Sequence, residues 1–101
     1  MLHPDIHARL DDIRRILADH RVKTAYVFGS ALRENFKDDS DLDLLIEFEK
    51  GITTKDYADL YWDLGDKIEK LTGREVDLVT LSSITNKYFL MELENTREAI
   101  L

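Results

Sequence analysis

Two carboxylates, Asp41 and Asp43, stand one residue apart at the mouth of an apolar run made by Leu42 and Leu44-Leu45-Ile46. In an extended chain, residues two apart point to the same side, so both acids project together while Leu42 and Leu44 face the other way. Side by side they repel each other and resist desolvation. A divalent cation makes such a pair favourable, because hard cations take carboxylate oxygens. Gly29-Ser30 closes an earlier apolar run, Ala25-Tyr26-Val27-Phe28, and is separated from Asp41 by the ten residues 31–40. Gly29 permits a positive φ and a close approach of backbone to ligand. Ser30 offers a hydroxyl and can cap a short helical turn over 31–35, whose free N–H groups would face an anion. Strand, phosphate turn, excursion and acid-bearing strand together describe a site for a nucleoside triphosphate with Mg²⁺.

Further side chains fit around this pair. Asp77 lies in Arg74-Glu75-Val76-Asp77-Leu78-Val79, where alternation puts Glu75, Asp77 and Val79 on one face and Val76 and Leu78 on the other. If that face is the one carrying Asp41 and Asp43, three carboxylates converge; otherwise Asp77 is a strand acid facing solvent. Arg33 can fork onto triphosphate oxygens or stand as a solvated surface residue. Ser30 is disfavoured as a hydrolytic nucleophile, since no histidine is near any of these elements in sequence.

Gly29-Ser30, ten residues, then Asp41-Leu42-Asp43 resembles the GSx10DxD signature of the polymerase-β-type nucleotidyltransferases. The resemblance covers about residues 24–80 of the 101. The short chain is similar to the minimal nucleotidyltransferases, antitoxin partners of HEPN-domain toxins. It implies a palm-like nucleotidyltransferase fold with a third carboxylate on a later strand, at Asp77. Asp41, Asp43 and Asp77 would then be the catalytic and metal-holding acids for two Mg²⁺ ions, with Asp77 completing the second site or taking the proton of the attacking hydroxyl. Gly29, Ser30 and Arg33 would bind the phosphates of ATP. The implied reaction is adenylylation of a hydroxyl, such as a tyrosine, on a cognate HEPN ribonuclease toxin, within a hetero-oligomer. One residue departs from the pattern: many relatives read Gly-Ser-x-Ala-Arg-Gly, whereas Glu34 follows Arg33 here. A non-catalytic antitoxin that masks its partner, and a small-molecule nucleotidyltransferase, are the alternatives.

The elements that must position these residues read as α+β, a small mixed sheet packed with helices. Ile6, Leu10, Ile13 and Leu17 predict a helix over 4–19, with Pro4 in its first turn and His20 favouring the negative end of its dipole. His3 and His7, four apart, could share a metal or be an incidental pair near a terminus. Strands are expected over 24–28, 42–48 and 75–79, with Phe36 tucking the charged 31–40 connection onto the core and Asp38 and Asp39 solvated. Ser40 is expected to hydrogen-bond the turn, Glu47 to be a solvated edge residue, and Glu49-Lys50-Gly51 to turn the chain. Tyr57, Leu60, Tyr61, Leu64, Ile68 and Leu71 form one helical stripe over 54–71, begun by a Thr53 or Thr54 cap and stopped by Gly73. Gly65 would mark close packing, and Trp62, off the stripe beside Asp59, Asp63 and Asp66, is a candidate partner anchor. A last helix is expected over 83–94 with Ser82 or Ser83 as cap and Asn95 as its interruption, leaving 97–101 unplaced.

Composition bounds the rest. A chain of 101 residues with 44% hydrophobic and 35% charged residues suits one globular domain spanning 1–101. A net charge of -7 argues against direct binding of nucleic acid, which needs basic surface, and suits metal chemistry or a basic protein partner. Without cysteine there are no disulfides or thiolate metal sites. No apolar stretch is long enough to span a membrane or serve as a signal core, so a cytoplasmic protein is expected.

Overall fold

The computed structural model describes residues 2–29 and 40–101, so the expectations for Ser30, Arg33, Glu34, Phe36, Asp38 and Asp39 lie outside the described residues. Its centre is a mixed four-stranded sheet in the order β3-β2-β1-β4. Strands β1 (Val22–Phe28) and β2 (Leu42–Phe48) are antiparallel, with Val27 opposite Leu44 and Phe28 opposite Asp43. Strand β3 (Val76–Thr80) runs parallel to β2, with Leu42 opposite Val76 and Asp43 opposite Asp77. The tail that the sequence left unplaced supplies β4 (Glu98–Ala99), antiparallel to β1. Strand β1 begins two residues earlier than expected, because Val22 is buried and pairs with Phe48.

Helices α1 (Pro4–Ala8), α2 (Leu10–Asp19) and α3 (Thr54–Thr72) cover one face of the sheet. The helix expected over 4–19 is two, joined at Arg9, whose side-chain Nε leaves to donate to the Leu71 carbonyl at 3.2 Å. His3 caps α1, its ring accepting the Asp5 N–H at 3.2 Å. Helix α3 starts and stops as its caps dictate: the Thr53 hydroxyl accepts the Asp56 N–H, and Gly73 closes it in the left-handed region at φ 69°. Its stripe buries Leu64 and Ile68 fully against Leu42, Leu44 and Ile46 of β2 and Val27 of β1. Gly65 packs towards β3, where an added Cβ would stand 3.4 Å from Leu78 Cδ1. His20 does more than meet a dipole: it is buried, with Nδ1 2.7 Å from the Ile16 carbonyl and Nε2 2.6 Å from Asp63 Oδ2, tying α2 to α3.

The other face is covered differently. After β3 a 3-10 turn (Leu81–Ser83) leads to α4 (Lys87–Thr96), which buries Leu93 in a small cluster with Phe28 and Leu45. This helix starts later than expected because Asn86, not Ser82 or Ser83, is the cap, accepting the Tyr88 N–H at 2.9 Å; Asn95 lies within it. Glu47 is on an interior strand and half-buried rather than on an edge, and its Oε1 accepts from the Thr24 hydroxyl at 3.4 Å. No helix among the described residues is long and apolar enough to cross a membrane.

Candidate active site

Three strand ends meet at one edge of the acid-bearing face: the end of β1 and the beginnings of β2 and β3. Leu42, Leu44 and Ile46 must face the helices to be buried, so the intervening Asp43 faces the other side. Residues directly opposite in a ladder share a face, which brings Asp77 beside Asp43. Asp41 has the parity of Asp43 one step earlier. Asp77 therefore lies on the same side as Asp41 and Asp43, the condition on which a three-carboxylate site depends.

Their electrostatics agree with that placement. Burial pushes the Asp43 carboxyl above its ordinary range, and the neighbouring charges of Asp77 and then Asp41 push it further in the same direction. Repulsion of this kind is what a bound cation offsets, and oxygen-only donors suit a hard ion such as Mg²⁺. Among the described residues no three His, Cys, Asp or Glu side chains are drawn together as a ready-made ligand set. The acids share a face and a field, and the cation would have to gather them.

Gly29 follows β1 at φ 70°, a conformation that favours glycine. Asp43 Oδ2 lies so near its Cα that an added Cβ would collide with it. The bend and the acid are thus packed against each other. Ser30 and Arg33, the other two phosphate-binding candidates, fall outside the described residues.

Two neighbours of the site escape a reading by pattern alone. Tyr61 belongs to the apolar stripe of α3, yet its hydroxyl donates to the Leu78 carbonyl at 2.8 Å. Burial raises its phenol pKa first, and the charge of Asp77 raises it next. With Glu69 Oε1, which accepts the Val76 N–H at 3.3 Å, it covers the outer edge of β3. The second is Arg74, a guanidinium placed at a core-facing parity just before β3. An arginine in register with Val76 and Leu78 is the signal that could have marked it. Trp62 stands out from α3 at 73% exposure, edge-on to Tyr61 at 5.3 Å, and borders the same cleft as Asp77.

The description "Polymerase beta, Nucleotidyltransferase" matches residues 11–101 of the chain. A Methanocaldococcus jannaschii protein named as a candidate protein adenylyltransferase is 39% identical over 79 residues, covering 74% of this chain and 81% of its own. Among solved structures, a toxin–antitoxin crystallised with AMP-PNP superposes with a TM-score of 0.71 at 20% identity, covering 91% of this chain and 72% of its own. A Shewanella oneidensis tri-AMPylated HEPN toxin in complex with its MNT antitoxin gives 0.66 at 18% identity, covering 94% of this chain and 71% of its own.

Proposed function

The chain belongs to the polymerase beta nucleotidyltransferase family, and from that membership we propose that it is an antitoxin that transfers AMP from ATP to a hydroxyl of a HEPN-domain toxin. It does so as one minimal nucleotidyltransferase domain in the cytoplasm, associated with the toxin. The observation that carries this reading is the register that sets Asp43 opposite Asp77, on the face of Asp41 and against Gly29.

Asp41, Asp43 and Asp77 would hold Mg²⁺ in this proposal, two ions when fully loaded. Metal held there would supply positive charge to offset that of the triphosphate and of the departing pyrophosphate. Gly29 gives the phosphates backbone access, with Ser30 and Arg33 as their side-chain donors. The acceptor oxygen bonds to the α-phosphorus, the bond to the bridging oxygen breaks, and pyrophosphate leaves. Asp77, on the edge strand β3, takes the proton of the attacking hydroxyl or would complete the second cation site. The acceptor comes on the partner, whose basic surface the net charge of -7 would complement, with Trp62 as an anchor beside the cleft.

Incubation with a HEPN protein, ATP and Mg²⁺, followed by intact-mass spectrometry of that protein, tests the proposal. The expected result is a gain of one or more AMP units that disappears in Asp41→Ala/Asp43→Ala. Full neutralisation of the toxin by the double variant with no mass change would instead make the chain a masking antitoxin. Labelling of a small alcohol in the absence of any protein would redirect the activity to small molecules.

A further inference from the structure

We propose that Arg74 is a positioning residue for the acid pair, holding the backbone before Asp41 from the far side of the sheet. The inference rests on the reading of Asp41 and Asp43 as cation ligands. The Arg74 side chain is only 4% exposed. Its Nη1 donates to the Ser40 carbonyl at 3.0 Å, and its Nη2 lies 3.5 Å from Asp5 Oδ2 on α1. Ser40 immediately precedes Asp41 in the chain. The next two positions are held from the same segment: the Leu42 N–H donates to the Glu75 carbonyl at 2.9 Å, and Asp43 lies opposite Asp77. Residues 74–77 thus act as a template for residues 40–43, and Arg74 supplies the first point of attachment.

Parity decides what kind of role this can be. Alternation from Val76 and Leu78 carries Arg74 to the helix side of the sheet, while the carboxylates face the other way. Among the described residues it reaches Asp41 through the main chain, from the face opposite the carboxylates. Burying a guanidinium is costly unless its donors are satisfied, and an apolar side chain would fill the same space more cheaply. The Ser40 carbonyl and the Asp5 carboxylate give the guanidinium partners that an apolar side chain could not use. A lysine keeps the charge and loses the fork that lets one side chain bond Ser40 and face Asp5 together.

The test compares Arg74→Met, Arg74→Lys and Asp5→Asn with the unaltered protein. Mn²⁺ binding is followed by calorimetry in the presence of AMP-PNP, and amide exchange is followed at Leu42. Arg74→Met is expected to weaken Mn²⁺ binding about 10- to 100-fold, the range for partners that orient metal ligands. Exchange at Leu42 should accelerate while Ala25 and Ile46, paired further along the sheet, keep their protection. Arg74→Lys should recover part of the affinity, and Asp5→Asn should lose a smaller part. Unchanged Mn²⁺ affinity with unchanged Leu42 exchange, whatever happens to the melting temperature, would make Arg74 a core filler and overturn the proposal. Should Arg74→Met fail to fold, Arg74→Lys and Asp5→Asn decide by the same two readouts. Absence of Mn²⁺ binding by the unaltered protein would instead sink the metal-site reading, and Leu42 exchange alone would then judge the clamp.

Discussion

The two faces of the sheet are built to different ends. The helix face carries Leu42, Leu44, Ile46 and Val27 under α1, α2 and α3, all fully or nearly fully buried. The opposite face carries Phe28 and Leu45 under α4, with Asp41, Asp43 and Asp77 beside them where Phe28 pairs with Asp43. Each strand therefore does two jobs, alternating residue by residue. The helix face holds the larger of the two buried clusters, which lets the other face hold carboxylates that repel each other. The lesson is that stability and transfer should respond to different substitutions within a single strand.

The largest expected effect is on the acid face. Asp41→Ala/Asp43→Ala should lower AMP transfer by at least about 10³-fold, as loss of several kcal/mol of charge stabilisation implies, while the melting temperature does not fall. Calorimetry alongside the transfer assay checks both halves. A drop in melting temperature equal to that of a core variant would break the division. On the helix face, Leu64→Ala removes a fully buried side chain and should cost about 2–5 kcal/mol of unfolding free energy in a urea titration. The fraction that remains folded should transfer AMP at the unaltered rate. Gly29→Ala lies on the seam and should hurt both: a side chain at φ 70° costs about 1–2 kcal/mol, and its Cβ would displace the Asp43 carboxylate. Stability loss with full transfer would mean that the contact between Gly29 and Asp43 has no part in the chemistry.

Much of this division is legible in the sequence because it depends on local rules. Parity in 42–48 and 76–80 assigns faces, and Thr53 and Gly73 bound α3 through hydrogen bonds only a few residues long. The family resemblance then suggests that Asp77 returns to Asp43, a pairing that parity alone leaves open. What escapes is long-range. Arg74 finds Ser40 across 34 residues, and His20 finds Asp63 across 43, so neither partner is visible in a local window. Strand β4 is two residues long and exists because Tyr26 and Val27 offer it an edge, not because Glu98-Ala99 favours extended structure. The helix break at Arg9 is of the same kind, since hydrophobic spacing runs through it unchanged from Ile6 to Leu10.

The smallest effect separates the faces by the sign of their response to pH. Asp43 has its pKa raised by burial and by Asp77 and Asp41, so the folded protein holds its proton more tightly than the unfolded chain does. Folding then loses stability as pH rises from the ordinary carboxylate value near 3.8 through the raised one. Asp63, on α3, has its pKa lowered first by the hydrogen bond from Lys67 and next by that from His20. Its contribution is present above the ordinary value and is lost as pH falls through the lowered one. Asp43→Asn should therefore gain in melting temperature over the unaltered protein as pH rises from about 3 to 7, where ordinary carboxylates ionise. Asp63→Asn should fall behind over the lower part of the same range. The two difference curves, measured without divalent cations, should have opposite slopes. Saturating Mg²⁺ with AMP-PNP should flatten the difference for Asp43 relative to the unaltered protein or reverse it, because a bound cation rewards the ionised carboxylate. The Asp63 curve should keep its shape, since its partners lie on the helix side of the sheet. If Mg²⁺ moved both curves equally, the cation would be acting on the fold as a whole rather than on the acid face.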